Sequence, residues 1–187
     1  MLKTNEINIR DPFVLLRDGV YFLYGTRGAT CWGLADGFDA YTGTDLENWE
    51  GPFTVFENDG SFWADRNYWA PEVHVWQGAY YMFASFKNET RRRGTAILKA
   101  SSPLGPFTPW SDGPVTPADW ECLDGTFYAD KTGKPYMVFC HEWVQAKTGG
   151  MCVAALKPDF SGLAEAPRRL FDATAAAPKS SRRSATI

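Results

Sequence analysis

The stretch from Arg10 to Thr26 reads RDPFVLLRDGVYFLYGT, and it decides the fold. It contains two short apolar runs, rich in β-branched and aromatic residues, on either side of the dipeptide Asp18-Gly19. Two such runs around an Asp-Gly pair are typical of a β-hairpin with a tight turn. The sequence therefore predicts an antiparallel pair of strands with an acidic residue, Asp11, near its start.

The same pattern occurs twice more along the chain. Residues 69–85 read WAPEVHVWQGAYYMFAS, and residues 123–139 read LDGTFYADKTGKPYMVF. The three turn glycines, Gly19, Gly78 and Gly133, are 59 and 55 residues apart. A period of about 57 residues with strand-turn-strand content indicates repeated four-stranded sheets, as in the blades of a β-propeller. Chance similarity among the hairpins of an ordinary β-sandwich is the alternative.

A second repeated element lies downstream of each hairpin and favours the propeller. The sequence TDLENW at residues 44–49 corresponds to SPLGPF at residues 102–107, with a weaker echo, KPDFSG, at residues 157–162. Because this element keeps nearly the same period as the hairpins, the repeat unit is longer than one hairpin and has room for a complete blade.

The repeats define the predicted domain organisation. We predict an all-β chain whose residues 1–172 form a partial propeller of about three blades, at about residues 8–52, 68–110 and 121–170. No segment shows a sustained helical period. Residues 173–187 are mostly small, polar or basic, and we predict that this tail is disordered.

Composition restricts the possible partners. A net charge of −3 and a pI near 5.4 predict no nucleic-acid partner, and the basic run at residues 91–93 is expected to be a solvated loop. No run of 18 apolar residues is present, so no membrane partner is predicted. The aromatic fraction of 16% suits packed sheets and also sugar-binding surfaces.

The cysteines and the N-terminal residues bear on the cellular compartment. None of the four cysteines belongs to a Cys-x-x-Cys pair, and we expect free, mostly buried thiols. Residues 1–6 lack an apolar signal segment, which predicts a cytoplasmic protein. A secreted form whose leader has been removed is the alternative.

Acidic residues recur near the start of each hairpin. The innermost strand of each propeller blade lines the central channel, so we expect Asp11, Glu72 and Asp124 to share one cavity. Facing carboxylates raise one another's pKa and divide the roles of acid and base, as glycoside hydrolysis requires. The alternatives are structural: an aspartate before proline and an Asp-Gly pair are common in turns, and Glu72 could bond to a neighbouring strand.

The motifs RDP at residues 10–12, WAPEV at 69–73 and LDG at 123–125, followed by HEW at 141–143, resemble family 43 glycoside hydrolases over about residues 8–172. The resemblance implies a five-bladed β-propeller that hydrolyses arabinose- or xylose-containing oligosaccharides or polysaccharides with inversion. It also implies that Asp11 is the general base and that Asp124 is the carboxylate that orients the general acid and tunes its pKa.

The resemblance also implies a general acid that this sequence does not supply at the expected place. In the family it is a Glu one blade further on, usually followed by Gly-Pro, and residues 175–187 contain no Glu. We therefore expect a truncated propeller with little or no activity as it stands. An inactive carbohydrate-binding propeller and a protein-interaction propeller are the competing interpretations.

Four further residues are predicted to contact substrate: Trp69 as a sugar platform, together with Glu72, His141 and Glu142. Glu142 is also the one candidate for a substitute acid. No cofactor is expected, although a channel metal ion such as calcium remains an alternative in which His141 would be a ligand, as a His is in some relatives. His74 is expected to serve in packing, and Trp143 is a second candidate platform.

Overall fold

The computed structural model describes residues 1–176, and it confirms the all-β prediction. Three antiparallel sheets follow one another along the chain. Blade one is the sheet with strands β1 (Leu2–Lys3), β2 (Ile9–Arg17), β3 (Val20–Arg27), β4 (Gly37–Gly43) and β5 (Asn48–Glu57). Blade two has β6 (Arg66–Trp76), β7 (Ala79–Lys87), β8 (Gly94–Ala100) and β9 (Thr108–Pro109). Blade three has β10 (Cys122–Ala129), β11 (Pro135–His141), β12 (Gly150–Ala155) and β13 (Arg168–Asp172).

In all three sheets the strands, apart from β1, lie side by side in the order in which they occur along the chain, beginning with the innermost strand. Strands β2, β6 and β10 each pair with the next strand in sequence, and β1 adds a fifth strand on the outer edge of blade one. The remaining regular elements of the described residues are two 3-10 turns, Thr4–Glu6 and Ala173–Ala176, and a one-turn helix, α1 (Trp143–Ala146).

Three predicted boundaries differ from the structure. Strand β1 places Leu2–Lys3 in blade one, before the predicted start of that blade at about residue 8. Strand β5 continues to Glu57, beyond the predicted end of blade one, because Val55 and Phe56 are buried in the core between blades one and two. Ala173–Ala176 form a 3-10 turn, which the backbone N–H of Ala173 ties to the carbonyl of Gly149 at 2.8 Å. The disorder predicted for residues 177–187 falls outside the described residues.

The hairpin turns are those that the glycines predict. In the first two hairpins, Asp18 and Gly19 have φ of 51° and 80°, and Gln77 and Gly78 have φ of 48° and 80°. Two consecutive residues with positive φ make the type I′ turn, whose twist matches that of the paired strands. Gly133, in the longer third turn, has φ of 81°.

Apolar side chains fill the spaces between successive sheets. Tyr24, Phe38 and Phe56 of blade one pack against Met82 and Phe86 of blade two, within one buried cluster. A second cluster joins blades two and three, with partners that include Phe83, Ile97, Cys122, Met137 and Phe139. Because the sheets stack in sequence order, β6 contacts both β2 and β10, and the innermost strands meet.

All four cysteines are free, as the sequence predicts, and three of them are buried. Burial raises the pKa of the Cys122 thiol to about 12, so this thiol is inert at neutral pH. Among residues 1–176, no helix has the length and apolar character needed to cross a bilayer.

Candidate active site

Each innermost strand is interrupted by a β-bulge at the same register position. The bulge residues are Asp11, Ala70 and Asp124, with φ of 50°, 46° and 54°. Positive φ is uncommon for residues other than glycine, and a bulge re-aims the side chain at its site. The three register shifts lie between Arg10 and Phe13, Trp69 and Glu72, and Leu123 and Thr126.

This register corrects one prediction. The position shared by Asp11 and Asp124 is taken in blade two by Ala70, so the expectation that Glu72 shares it is wrong. Pro12 and Pro71 each directly follow a bulge residue and mark the corresponding positions, whereas Glu72 lies two residues after the bulge residue of its strand.

Glu72 instead joins blade two to blade three. Its Oε2 accepts a hydrogen bond from the hydroxyl of Thr126 and lies 3.2 Å from Nε2 of His74. Burial would raise the pKa of Glu72, but the bonds from His74 and Thr126 outweigh it and lower the pKa below its ordinary value. His74 packs among the rings of Phe13, Phe83 and Phe127, as predicted.

The two bulge aspartates lie in one cavity of about 170 Å³ at the inner end of the blades. Both residues are exposed to solvent. The lining residues are Arg10, Asp11, Thr26, Cys31, Trp32, Trp69, Leu123 and Asp124. Of the six residues predicted for the site, the structure thus brings Asp11, Asp124 and Trp69 together here, whereas Glu72, His141 and Glu142 do not line this cavity.

Asp11 is held by a buried hydroxyl. Oγ1 of Thr26 donates to Oδ2 of Asp11 at 2.9 Å, and the same oxygen accepts the backbone N–H of Ala70 at 2.8 Å. Thr26 is only 1% exposed. The carboxylate of blade one is therefore connected, through one side chain, to the bulge of blade two.

Asp124 carries the most perturbed carboxyl group of the site. Its pKa is raised to about 6, first by burial of the carboxyl and then by the negative charges of Asp11, Glu72 and Glu142, against a lowering effect of Arg93. Because the residue as a whole is exposed, water offsets part of the effect of burial. Substitution of the neighbouring carboxylates can therefore test how much their repulsion raises the pKa of Asp124.

Behind the cavity, Arg93 forms a buried ion pair with Glu142. The two side chains are 11% and 10% exposed, and the guanidinium stacks 4.3 Å from the ring centroid of Trp69. Its Nη2 donates to Asn67 at 3.3 Å, and its Nε has no partner among the described residues. The expectation of a solvated loop is therefore wrong for Arg93, although Arg91 and Arg92 are exposed.

Trp32 is a cavity residue that sequence reasoning missed. Its side chain is 72% exposed, and its ring meets that of Trp69 edge-on, with centroids 5.6 Å apart. The guanidinium of Arg10 lies 4.8 Å from the centroid of the Trp32 ring. Trp32 belongs to the β3–β4 connection, which is not part of the repeat, so no periodic signal pointed to it.

His141 and Trp143 lie apart from this cavity. The ring of His141 stacks on Trp120 with centroids 4.3 Å apart, and its Nε2 is 2.9 Å from Oε1 of Gln145. Trp143 is 67% exposed and borders a separate cavity of about 510 Å³ beside Met151. Across residues 1–176, no three His, Cys, Asp or Glu side chains are grouped so that they could hold a metal ion.

Comparison with known proteins places the chain in a family. The family described as glycosyl hydrolases family 43 matches residues 5–184. The extracellular endo-alpha-(1->5)-L-arabinanase 1 of Bacillus subtilis (strain 168) is 24% identical over 191 residues, which cover 88% of this chain and 56% of that protein. The solved endo-arabinase of Bacteroides thetaiotaomicron VPI-5482 superposes with a TM-score of 0.86 at 34% identity, over 92% of this chain and 59% of that one.

A solved thermostable family-43 glycoside hydrolase has a TM-score of 0.78 at 23% identity, over 88% of this chain and 53% of its own, and so supports the fold. The chain thus spans a little over half the length of each of these three proteins. Since the family match covers nearly all of the sequence, the chain belongs to glycosyl hydrolases family 43.

Proposed function

We propose that this chain carries the general-base half of an inverting glycosidase site for arabinose- or xylose-containing glycans. The observation that carries the proposal is the pair of exposed aspartates, Asp11 and Asp124, on matching bulges around one cavity. The family membership and the names of the relatives, which include an arabinanase and a xylosidase/arabinosidase of Bacteroides ovatus, support this substrate class.

In the proposed reaction, Asp11 removes a proton from a water molecule. The water oxygen forms a bond to the anomeric carbon on the face opposite the leaving group, and the bond from that carbon to the glycosidic oxygen breaks. The water proton passes to Asp11, and the leaving oxygen takes a proton from a general acid. Asp11 suits the role because it is exposed and only one of its two carboxylate oxygens has a hydrogen-bond partner among the described residues.

Asp124 is proposed to tune the acid rather than to react. Its pKa of about 6 leaves it largely ionised at neutral pH, and a carboxylate raises the pKa of a neighbouring carboxylic acid. A raised pKa keeps the acid protonated until it donates. The bulge supports this role, since the backbone N–H of Asp124 donates to Oγ of Ser85 at 2.9 Å and fixes the strand there.

The acid itself remains unassigned among residues 1–176. Glu142, the candidate from sequence, is paired with Arg93, and Glu72 is bonded to Thr126 and His74. Donation by either would require breaking a buried or partly buried interaction. We therefore expect residues 1–187 to act slowly on glycosides whose leaving group needs protonation.

The leaving group thus decides how the proposal is tested. Fluoride needs no proton from a carboxylic acid of the enzyme, so α-L-arabinofuranosyl fluoride and β-D-xylopyranosyl fluoride report on the base alone. We expect the 187-residue chain to release fluoride from at least one of them. Asp11→Asn should lower kcat by about 10²-fold or more, while Asp18→Asn, a change in the exposed turn of the same hairpin, should not alter it. Equal turnover by Asp11→Asn and the unaltered chain would refute the assignment of the base.

A carbohydrate-binding function without catalysis is the second candidate. The observation in its favour is that both glutamates near the cavity are engaged in other bonds. Calorimetric binding of arabino-oligosaccharides, together with no fluoride release from either glycosyl fluoride, would support this candidate over the glycosidase.

A further inference from the structure

In blades one and two, one position on the second strand ties the blade to the next. Thr26 and Ser85 occupy this position, each opposite the residue that precedes the bulge of its own sheet. The Thr26 hydroxyl accepts the N–H of Ala70 at 2.8 Å, and the Ser85 hydroxyl accepts the N–H of Asp124 at 2.9 Å. In both cases a buried hydroxyl receives the amide of the next blade's bulge residue.

Among residues 1–176, only the hydroxyl of blade one also meets a carboxylate at this position. The bulge residue of blade two is Ala70, which offers Ser85 no acidic side chain. The bulge residue of blade one is Asp11, whose Oδ2 lies 2.9 Å from Oγ1 of Thr26. Ser85 therefore only connects blades two and three, whereas Thr26 both connects blades one and two and bonds to the proposed base, Asp11.

The number of protons on Thr26 decides the direction of these bonds. A threonine hydroxyl has one proton and two lone pairs. Because the N–H of Ala70 uses a lone pair, the single proton is available for Oδ2 of Asp11. At 1% exposure of Thr26, solvent has little access to compete for this proton. Oδ2 is thus occupied as an acceptor, and Oδ1 has no hydrogen-bond partner among the described residues.

We infer that Thr26 is a positioning residue for the base, an inference that rests on the proposed function. It fixes the carboxylate of Asp11 so that Oδ2 is engaged and Oδ1 takes the proton of the attacking water. Since the amide of Ala70 orients the Thr26 hydroxyl, the bulge of blade two sets the geometry of the base in blade one.

The alternative is that Thr26 only holds the two blades together. Thr26→Val removes the hydroxyl and nearly keeps the shape, Thr26→Ala avoids any clash should the valine variant fail to fold, and Thr26→Ser keeps the hydroxyl. A purely connecting role predicts lower stability with unchanged kcat in the folded protein. A positioning role predicts lower kcat at an unchanged KM, because a displaced reacting group costs rate more than binding.

The first experiment measures fluoride release from the fluoride that the 187-residue chain turns over. Thr26→Val or Thr26→Ala should lower kcat about 10- to 100-fold with KM within about twofold, and Thr26→Ser should restore kcat to within about threefold. Unchanged kcat without the hydroxyl, or a serine variant as slow as valine, would overturn the inference. Asp11→Asn in the same assay separates the two claims, because full activity there refutes the base itself.

The second experiment needs no turnover. Crystal structures of Thr26→Val and Thr26→Ser, or of Thr26→Ala where the valine variant is unstable, report the orientation of the Asp11 carboxylate. We expect the carboxylate to rotate away without the hydroxyl and to keep its orientation in the serine variant. An Asp11 carboxylate that holds its position without the hydroxyl would overturn the inference, whatever the activity.

Discussion

Replacing Asp11 by Asn should lower the pKa of Asp124 from its value of about 6. The Asp11 charge is the second cause of the raised pKa, after burial, so the pKa should fall but remain above its ordinary value of 3.8. Because water reaches both carboxylates, we use an effective dielectric near that of bulk water. In such a medium, a like charge at a separation of about 4 Å contributes on the order of 1 kcal/mol, so we expect a fall of at most about 0.7 of a pH unit.

The assay is a ¹³C NMR titration of the aspartate carboxyl carbons in uniformly labelled protein, with Asp124→Asn identifying the Asp124 resonance. Asp18→Asn, which removes an exposed charge from the turn of the same hairpin, is the matched control and should leave the Asp124 midpoint unchanged. An Asp124 midpoint in Asp11→Asn that equals or exceeds the wild-type value would show that the two carboxylates do not interact across the cavity.

Three further changes follow from the same contacts. The folded-state pKa of Asp124 is raised, so ionising its carboxyl costs stability as the pH rises from about 4 through 6. Asp124→Asn should therefore raise Tm at pH 7 relative to wild type, with a smaller difference at pH 4. An equal shift in Tm at both pH values would contradict this. Glu142→Gln leaves the buried charge of Arg93 unpaired and should lower the free energy of unfolding, measured by urea titration, by about 3–5 kcal/mol. The control, Glu89→Gln at the exposed pair with Arg66, should change the free energy of unfolding by less than about 1 kcal/mol. Trp32→Ala should weaken binding of arabino-oligosaccharides about fivefold by calorimetry without lowering Tm, since the ring is 72% exposed; unchanged affinity would remove Trp32 from the site.

The repeat and its turns could be predicted because they depend on local chemistry. Asp18-Gly19 and Gln77-Gly78 carry the positive φ values that a two-residue hairpin needs, and glycine at the second place is visible in the sequence. Apolar runs on either side fix which segments pair. The three sheets and their order follow from these signals and from the common period.

The bulges could not be predicted, and they determine which acidic residues reach the cavity. The positive φ of Ala70 is set by the hydrogen bonds between neighbouring strands and by the Thr26 hydroxyl of the adjacent blade, not by any local preference of alanine. Without knowledge of the bulges, the sequence spacing aligns Glu72 with Asp11. Glu72 contacts His74 on its own strand, whereas its bond to Thr126 becomes visible only when blades two and three are packed together.

The burial of long polar side chains could not be predicted from the sequence either. A run of three arginines normally indicates solvent exposure. Arg93 departs from that rule because Trp69 supplies a flat ring for its guanidinium and Glu142 a counter-charge, each from a different strand or turn. The same packing pairs Glu142, which is adjacent to His141 in the sequence, with the guanidinium of Arg93.

The most direct test of an inverting site with Asp11 as its base is the configuration of the first product. Proton NMR spectra, recorded before mutarotation during hydrolysis of α-L-arabinofuranosyl fluoride, identify the anomer released by the 187-residue chain. We predict that the β-anomer of arabinofuranose forms first and that Asp11→Asn forms neither anomer above the uncatalysed rate. Initial release of the α-anomer, or release of the β-anomer by Asp11→Asn at the wild-type rate, would contradict the proposal.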